Sequence, residues 1–471
     1  MKNVLHQVLP WGYCCNCGVC SAVCPAGCLE MAETEIGEYR PSQTEKKCTS
    51  CGLCLQVCPY SGVTQENEET LGNERFASQE DFRWEDFLGW FHQTYYGAVA
   101  DTEERQHSPS GGLTTAVLRE LFRRGKIDAA IVAEPLPQRP WFRLQKVTQP
   151  EALFKAHGSV YHTMTWGSLL REILHAPAQR YAVVALPCVV KALRLAEKRL
   201  PGWRSRMPYV LSLACGGCAS LHRADFFTVL LGDNRSGICY RNKKKAQNAA
   251  DTCVTTAFSK NSRSIRAQGI LGFFYLFGIG NLKSCLLCDD LFSELADATF
   301  MEALVEPFVS DPRGTNLVIS RPPEISEILE TGFQKGNLQG GILPPSQVFL
   351  AQAQNAQKRR KTAGQCYHYE RKIRPQEVPV PAKRPLLTES PFTRLDEKEI
   401  RRRHLFHQET RKILQKFSQH YAHPERWYCR FYTWRVLWKL LYSVCRCGML
   451  KKMFQAIPSS HSRNRKHRDD P

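Results

Sequence analysis

The sequence predicts three regions in series: a small cysteine-rich α+β domain, a mixed α/β body and a basic helical tail. Three observations predict this. Cysteines recur at fixed short intervals within the first 60 residues. Between residues 110 and 215, apolar runs of five or six residues alternate with amphipathic stretches. The formal net charge of +19 is concentrated near the C-terminal end.

Of 64 Lys+Arg and 45 Asp+Glu, residues 356–471 hold 28 and 10, leaving the first 355 residues with 36 and 35. A nearly neutral body removes the main support for nucleic-acid binding, and no nucleic acid is expected as a partner. At 471 residues the chain is long enough for several domains of roughly 100–200 residues each. The start, MKNVLHQVLPWGYCC, has no long apolar segment. The longest uncharged apolar stretch, Ala267 to Leu282, has 16 residues, interrupted by Gly269, Gly272, Gly278 and Gly280. It falls short of the roughly 20 residues of a membrane span. A soluble, cytoplasmic protein is expected, and there its 21 cysteines point to metal or redox chemistry rather than disulfides.

Cys14, Cys17, Cys20 and Cys24 follow C-x2-C-x2-C-x3-C, with Pro25 next; Cys48, Cys51, Cys54 and Cys58 repeat the spacing, with Pro59 next. A cubane needs four thiolates at its corners. A tight loop supplies three, and the other motif delivers the fourth. By this crossed rule Cys14, Cys17, Cys20 and Cys58 form one set, and Cys48, Cys51, Cys54 and Cys24 the other. Structural zinc also uses C-x2-C pairs, but a duplicated run of three such steps ending in Cys-Pro is poorly explained by it. Residues 10–62 thus resemble bacterial-type two-cluster 4Fe-4S ferredoxins, an electron wire without substrate chemistry of its own. Cys15 and Cys28 lie off the pattern and read as small buried apolar side chains.

Residues 65–95 are acidic and polar and read as a connector, with a helix near its end and order resuming at Tyr96. In residues 108–125, Leu113, Val117, Leu121 and Phe122 share one face of an amphipathic helix that Gly125 ends. Ser110, Gly111 and Gly112 stand at its start, suited either to a plain N-cap or to phosphate on free amides. Residues 128–133, 181–186 and 209–214 read as buried strands. The second runs into Pro187 and Cys188 and then a helix, the third into Cys215-Gly216-Gly217-Cys218, so both place cysteines at carboxyl ends of strands, where α/β sheets hold their chemistry. Cys285 and Cys288 form a further C-x2-C pair. Taken alone, these thiols suit buried side chains, half a zinc site or a redox dithiol.

The combination is more specific. The two ferredoxin motifs, SGGLT at 110–114, GSVY at 158–161, LPC at 186–188 with Lys191, Ala192 and Leu193, ACGG at 214–217, YRNK at 240–243, CLLCDD at 285–290 and AD at 296–297 occur in this order. Over residues 12–321 the chain resembles the family of coenzyme F-420 hydrogenase and dehydrogenase beta subunits, flavin and iron–sulfur proteins. The resemblance implies a mixed α/β flavin/iron–sulfur body. It implies a third 4Fe-4S cluster on Cys188, Cys215, Cys285 and Cys288, with Cys218 a neighbour. It also implies FAD beside Ser110, Gly111, Gly112 and Thr114, with Lys155 and Ser159 further candidates. The chain departs from the family pattern at Val160, where Lys is usual, and at Met301, Glu302 and Leu304, where Gly, Asp and Trp are usual.

The regions expected are 1–64 (two-cluster ferredoxin domain), 65–95 (connector), 96–175 and 176–335 (two parts of the body, the second with the third cluster), 336–394 (linker) and 395–471 (basic helical tail). In the tail Arg435, Lys439 and Arg446 share a helix with Trp434, Leu437, Trp438, Leu441 and Val444. That helix suits an anionic membrane surface, an acidic partner, or packing on the chain's own body. The function expected is an FAD and iron–sulfur oxidoreductase passing electrons to or from a small-molecule acceptor or a redox partner protein. The alternative is a non-catalytic relay subunit docking through its basic tail. Asp289, Asp297 and Glu302 are polar candidates near the third set, with a structural role the plainer reading of each.

Overall fold

The computed structural model describes residues 3–155, 158–232, 236–258, 264–266, 272–373, 384–389, 391–421, 436–437, 439–440 and 442–444. The N-terminal cysteines surround a hairpin of β1 (Leu29–Glu33) and β2 (Tyr39–Gln43). The body is built on one eight-stranded sheet. Its strands are β3 (Gln93–Val99), β4 (Ala129–Pro135), β5 (Phe142–Val147), β6 (Tyr181–Ala185), β7 (Tyr209–Leu213), β8 (Ala298–Glu302), β9 (Asn316–Ser320) and β10 (Leu338–Ile342), in the order β10-β3-β9-β8-β7-β6-β4-β5. The four central strands, β8, β7, β6 and β4, are parallel, and the flanking strands are antiparallel. Central parallel strands are covered on both faces and read as apolar runs, which is why 128–133, 181–186 and 209–214 are legible as strands.

The helices that position the site are α1 (Glu68–Phe76), α2 (Leu113–Arg123), α3 (Pro187–Arg199), α4 (Leu221–Leu231), α5 (Pro323–Gln334), α6 (Ala353–Ile373) and α7 (Arg394–Tyr421). In α2, Leu113, Val117 and Leu121 are buried as the periodicity requires. A single apolar core runs from the N-terminal domain into the body, joining Val19, Cys20 and Val57 with Trp166, Leu170, Val190 and Leu193.

Two expectations need correction. The connector at 65–95 is a strap bound to the body. Its helix lies at the start, where Asn67 and Thr70 form a capping box, and its acidic residues pair with basic α3 through Glu68–Lys191, Glu66–Arg199 and Glu74–Lys198. Order also resumes earlier, in β3 from Gln93. The linker expected over 336–394 holds edge strand β10 and the 21-residue helix α6. The buried face of α6 is Ala356, Arg360, Ala363, Gly364, Cys366 and Glu370, too small and polar to register as an apolar stripe. In the tail, the reading of packing on the chain's own body agrees with the structure: α7 packs on α4, with Phe406, Leu414 and Phe417 buried alongside Phe226, Phe227 and Phe274. Leu437, Leu440 and Val444 join that cluster. Arg435, Trp434, Trp438, Leu441 and Arg446 lie outside the described residues, as does the end of the chain. Among the described residues no helix is long and apolar enough to cross a membrane.

Candidate metal centres

The two cysteine motifs share one backbone path. Asn16 and Gly18 have φ +64° and +77°, and Ser50 and Gly52, at matching positions, have +58° and +76°. The amides of Asn16 and Ser50 donate to Cys14 Sγ and Cys48 Sγ at 3.4 Å each. These left-handed residues turn amides toward sulfur, an arrangement suited to holding thiolates around a cluster. Cys20 and Cys58 each face Cys14 and Cys17, forming the inner set. Cys24, Cys48, Cys51 and Cys54 line one pocket, the outer set, where Cys51 is exposed. Cys28 lines the same pocket, with its Sγ 3.4 Å from Cys24 Sγ. It is buried as expected, but against thiols.

A third group of thiols gathers at the carboxyl ends of β6 and β7. Their register aligns Ala185 with Ser212, so Cys188 and Cys215 each follow three residues beyond the same rung. Pro187 opens α3 and sets Cys188 in its first turn, where helix amides favour a thiolate. The Cys215 amide is held by the Leu291 carbonyl at 3.0 Å. Cys285 sits in a short 3-10 turn, and its Sγ accepts the Cys218 amide at 3.4 Å. Cys188, Cys285 and Cys288 all face Cys215. Cys218 is a fifth thiol, buried at the rim.

Burial pushes the thiols of Cys14 and Cys215 up to about 12 and that of Cys285 up to about 11. Thiols so placed become thiolates only beside strong positive charge, which cluster irons supply. Among the described residues, no three His, Cys, Asp or Glu side chains come close enough to hold a single metal ion. The donor sets fit a cubane better than a mononuclear zinc.

The inner set and the third group adjoin. The Cys15 thiol lies between Cys17 and Cys188, and those two neighbours and its burial push it well above the ordinary thiol range. Tyr60, buried two residues after Cys58, faces Cys288, Cys188, Cys15 and Cys285. Neither junction residue carries a spacing signal; only adjacency to Cys14 and Cys58 marks them.

At the other side of the sheet, Gly112 caps α2 with φ +85°. Gly111 is buried in close packing, since a Cβ there would lie 2.5 Å from the Gly97 carbonyl oxygen and 2.8 Å from the Asn316 amide. Asn316 Oδ1 accepts the Leu113 amide at 3.0 Å, and Ser110 donates to the Thr315 carbonyl at 3.2 Å. Among the described residues the Gly111 and Gly112 amides have no acceptor. Lys243 lies alongside, its Nζ donating to the carbonyls of Ser110 at 2.9 Å, Arg105 at 2.6 Å and Arg313 at 2.5 Å. Free amides at the start of an eleven-residue helix beside a cation fit a phosphate such as that of a flavin nucleotide. Thr114 is half-buried on the first turn. Lys155 closes a 3-10 turn that packs on α2. Ser159 is half-buried, and its neighbour Val160 packs against the aromatic cluster of Trp141, Phe142 and Tyr240.

The polar candidates have structural partners. Asp297 receives Arg75 at 2.9 Å, Arg194 at 3.0 Å and the Val210 amide at 2.6 Å. Burial opposes its charge, but the two guanidiniums hold it at about 2. Asp289 pairs with Arg384 at 3.2 Å. Glu302 pairs with Arg241 and accepts the Thr315 amide at 3.2 Å. Of the other departures from the family pattern, Met301 is buried and Leu304 exposed.

Comparisons with known proteins agree with this architecture. Residues 13–62 match the family described as a 4Fe-4S dicluster domain. Residues 94–171 match the N-terminal model of the coenzyme F420 hydrogenase/dehydrogenase beta subunit, and 178–341 its C-terminal model. The chain is 31% identical over 339 residues to a coenzyme F420-dependent sulfite reductase of Methanocaldococcus jannaschii, covering 69% of this chain and 46% of that protein. It is 25% identical over 217 residues to one of the subunits of the F(420)H(2) dehydrogenase of Methanosarcina mazei, covering 46% and 56%. The chain thus spans about half the length of these relatives. Its fold matches a chain of the F420-reducing [NiFe] hydrogenase complex from Methanosarcina barkeri, with TM-score 0.51, 17% identity, and coverage of 64% of this chain and all of that one.

Proposed function

Because the chain belongs to the family of coenzyme F420 hydrogenase/dehydrogenase beta subunits, we propose that it is an iron–sulfur flavoprotein that moves electrons between a redox partner and a small acceptor of the coenzyme F-420 class. The observation that carries this reading is the continuity of the three thiol groups, with Cys15 and Tyr60 between the inner set and the third. The residues divide the work. Cys51 leaves the outer set open to a partner, while the inner set is enclosed by the shared core. Cys188, Cys215, Cys285 and Cys288 would hold a third 4Fe-4S cluster at the sheet ends. The Gly111 and Gly112 amides would bind the phosphate of FAD, with the Lys243 charge nearby, and FAD when bound converts single electrons into hydride-type transfer.

Anaerobic purification of the full chain, followed by iron and flavin analysis, tests the proposal. About twelve irons and one FAD per chain are expected, since each cubane carries four irons. About eight irons would remove the third cluster. Twelve irons without FAD would leave the second reading, a relay subunit whose catalytic partner lies elsewhere; the unbroken run of thiol groups supports it equally.

A further inference from the structure

Helix α6 lies beyond residue 341, where the family match ends. It packs on the 3-10 turn that carries Cys285. Ala356 and Ala363 are buried with 1% and 0% exposure, and these small side chains let the helix approach closely. Arg359 lies between them on the same face, three residues after one and four before the other. Its neighbour Arg360 is already paired, bonded to Asp86 at 2.5 Å and stacked 3.6 Å over the Phe87 ring. Arg359 differs. Among the described residues it makes no ion pair with a carboxylate; the charges that act on it are the thiols of Cys288, Cys215 and Cys285. Its Nε is buried without a partner. A half-buried guanidinium with no carboxylate partner is costly, and the cost is relieved by negative charge within reach.

We propose that Arg359 is a positioning residue for the third cluster, placed to stabilise its reduced state. The proposal rests on the third-cluster reading above. A cubane held by four thiolates carries net negative charge, which grows by one when it accepts one electron. A fixed guanidinium against its sulfurs favours that state and raises the potential, because hydrogen bonds to sulfur and local charge are what set it. No proton moves in this step; in a titration the electron comes from dithionite. Arg359 thereby makes the third cluster the preferred seat for electrons delivered through the ferredoxin sets.

The test is a spectroelectrochemical titration of the anaerobic full-length protein, monitored by EPR, comparing wild type with Arg359→Gln and Arg359→Lys. The third cluster's signal is assigned as the one missing in Cys215→Ser. In Arg359→Gln the oxidised-to-reduced ratio of that cluster at a fixed potential should rise at least tenfold, equivalent to about 59 mV for one electron. The other two clusters should stay put and iron should remain near wild type. Arg359→Lys should recover most of the shift. An unchanged third-cluster potential in Arg359→Gln, with full iron, overturns the proposal. If Arg359→Gln loses the cluster, the lysine variant decides: a cluster held near the wild-type potential supports the charge role, and loss there too overturns it. Eight irons in wild type would instead refute the third-cluster reading itself, before any variant is compared.

Discussion

Gly18 and Gly167 meet backbone to backbone. A Cβ on Gly18 would lie 2.6 Å from the Gly167 amide nitrogen, and one on Gly167 would lie 2.4 Å from Ser21 Oγ. The cysteine domain is pressed onto the body at this point, and the Trp166 amide donates to the Cys17 carbonyl at 2.9 Å. Gly18 and Gly52 provide an internal comparison, since their φ angles match at +77° and +76° but nothing lies within 4 Å of a Cβ on Gly52. Gly52→Ala should therefore cost only the left-handed strain, about 1–2 kcal/mol. Gly18→Ala should cost more and lower the iron content of the inner set. Anaerobic thermal denaturation with iron analysis checks this; equal losses would mean the contact with Gly167 is not tight.

Cys215 and Cys218 are separated by two glycines, and only Cys215 directly follows a strand that shares a register with the Cys188 strand. Cys215→Ser should bleach one cluster and leave the ferredoxin sets, whose eight thiols lie elsewhere. Cys218→Ser should keep the full iron content, since the contact seen from residue 218 to Cys285 Sγ is made by its amide. Loss of a cluster only in the Cys218 variant would reverse the assignment. Loss in neither would favour a dithiol or an unligated buried pair.

What the sequence discloses follows from how each feature is encoded. The eight N-terminal cysteines are legible because cluster geometry imposes a fixed spacing. The strands ending at Cys188 and Cys215 are legible because central parallel strands must be apolar throughout. Arg359 is not, since the buried face of α6 is alanine, glycine and polar residues, and its polar sequence reads as a linker. Cys15 and Tyr60 act through positions fixed only when the two domains pack. The charge of the strap at 66–74 was visible, but not its complement on α3, which lies more than 100 residues away.

Two buried histidines and the half-buried His404 make stability depend on pH. Burial holds His162 down at about 3, His407 at about 3 and His404 at about 4, against an ordinary 6.5. All three are neutral in the folded protein at pH 6, whereas the unfolded chain takes up protons there. Their contribution is complete above about 6.5 and is lost as pH falls toward the folded values, each by up to about 1.4 kcal/mol per pH unit. Denaturant midpoints under anaerobic conditions should fall between pH 7.5 and pH 5.5. A flat profile over that range would show that these rings are accessible to protons in the folded state.

The basic tail offers a final test, because composition and packing disagree about it. Charge segregation suggests a separable appendage for an anionic partner. The packing shows α7 closing the aromatic cluster, with the Phe417 ring 5.1 Å from Phe226, Ser418 donating to Asp225 at 3.3 Å, and Arg411 paired with Glu38. Burying Phe406, Leu414 and Phe417 is worth on the order of 5 kcal/mol at 1.5–3 kcal/mol per side chain. Removing residues 394–471 should therefore lower the thermal midpoint markedly, uncover an apolar surface that binds a hydrophobic dye, and loosen the N-terminal domain through the lost Arg411–Glu38 pair. A truncated chain with the wild-type midpoint and iron content would show instead that the tail is a separate unit, free to serve a partner.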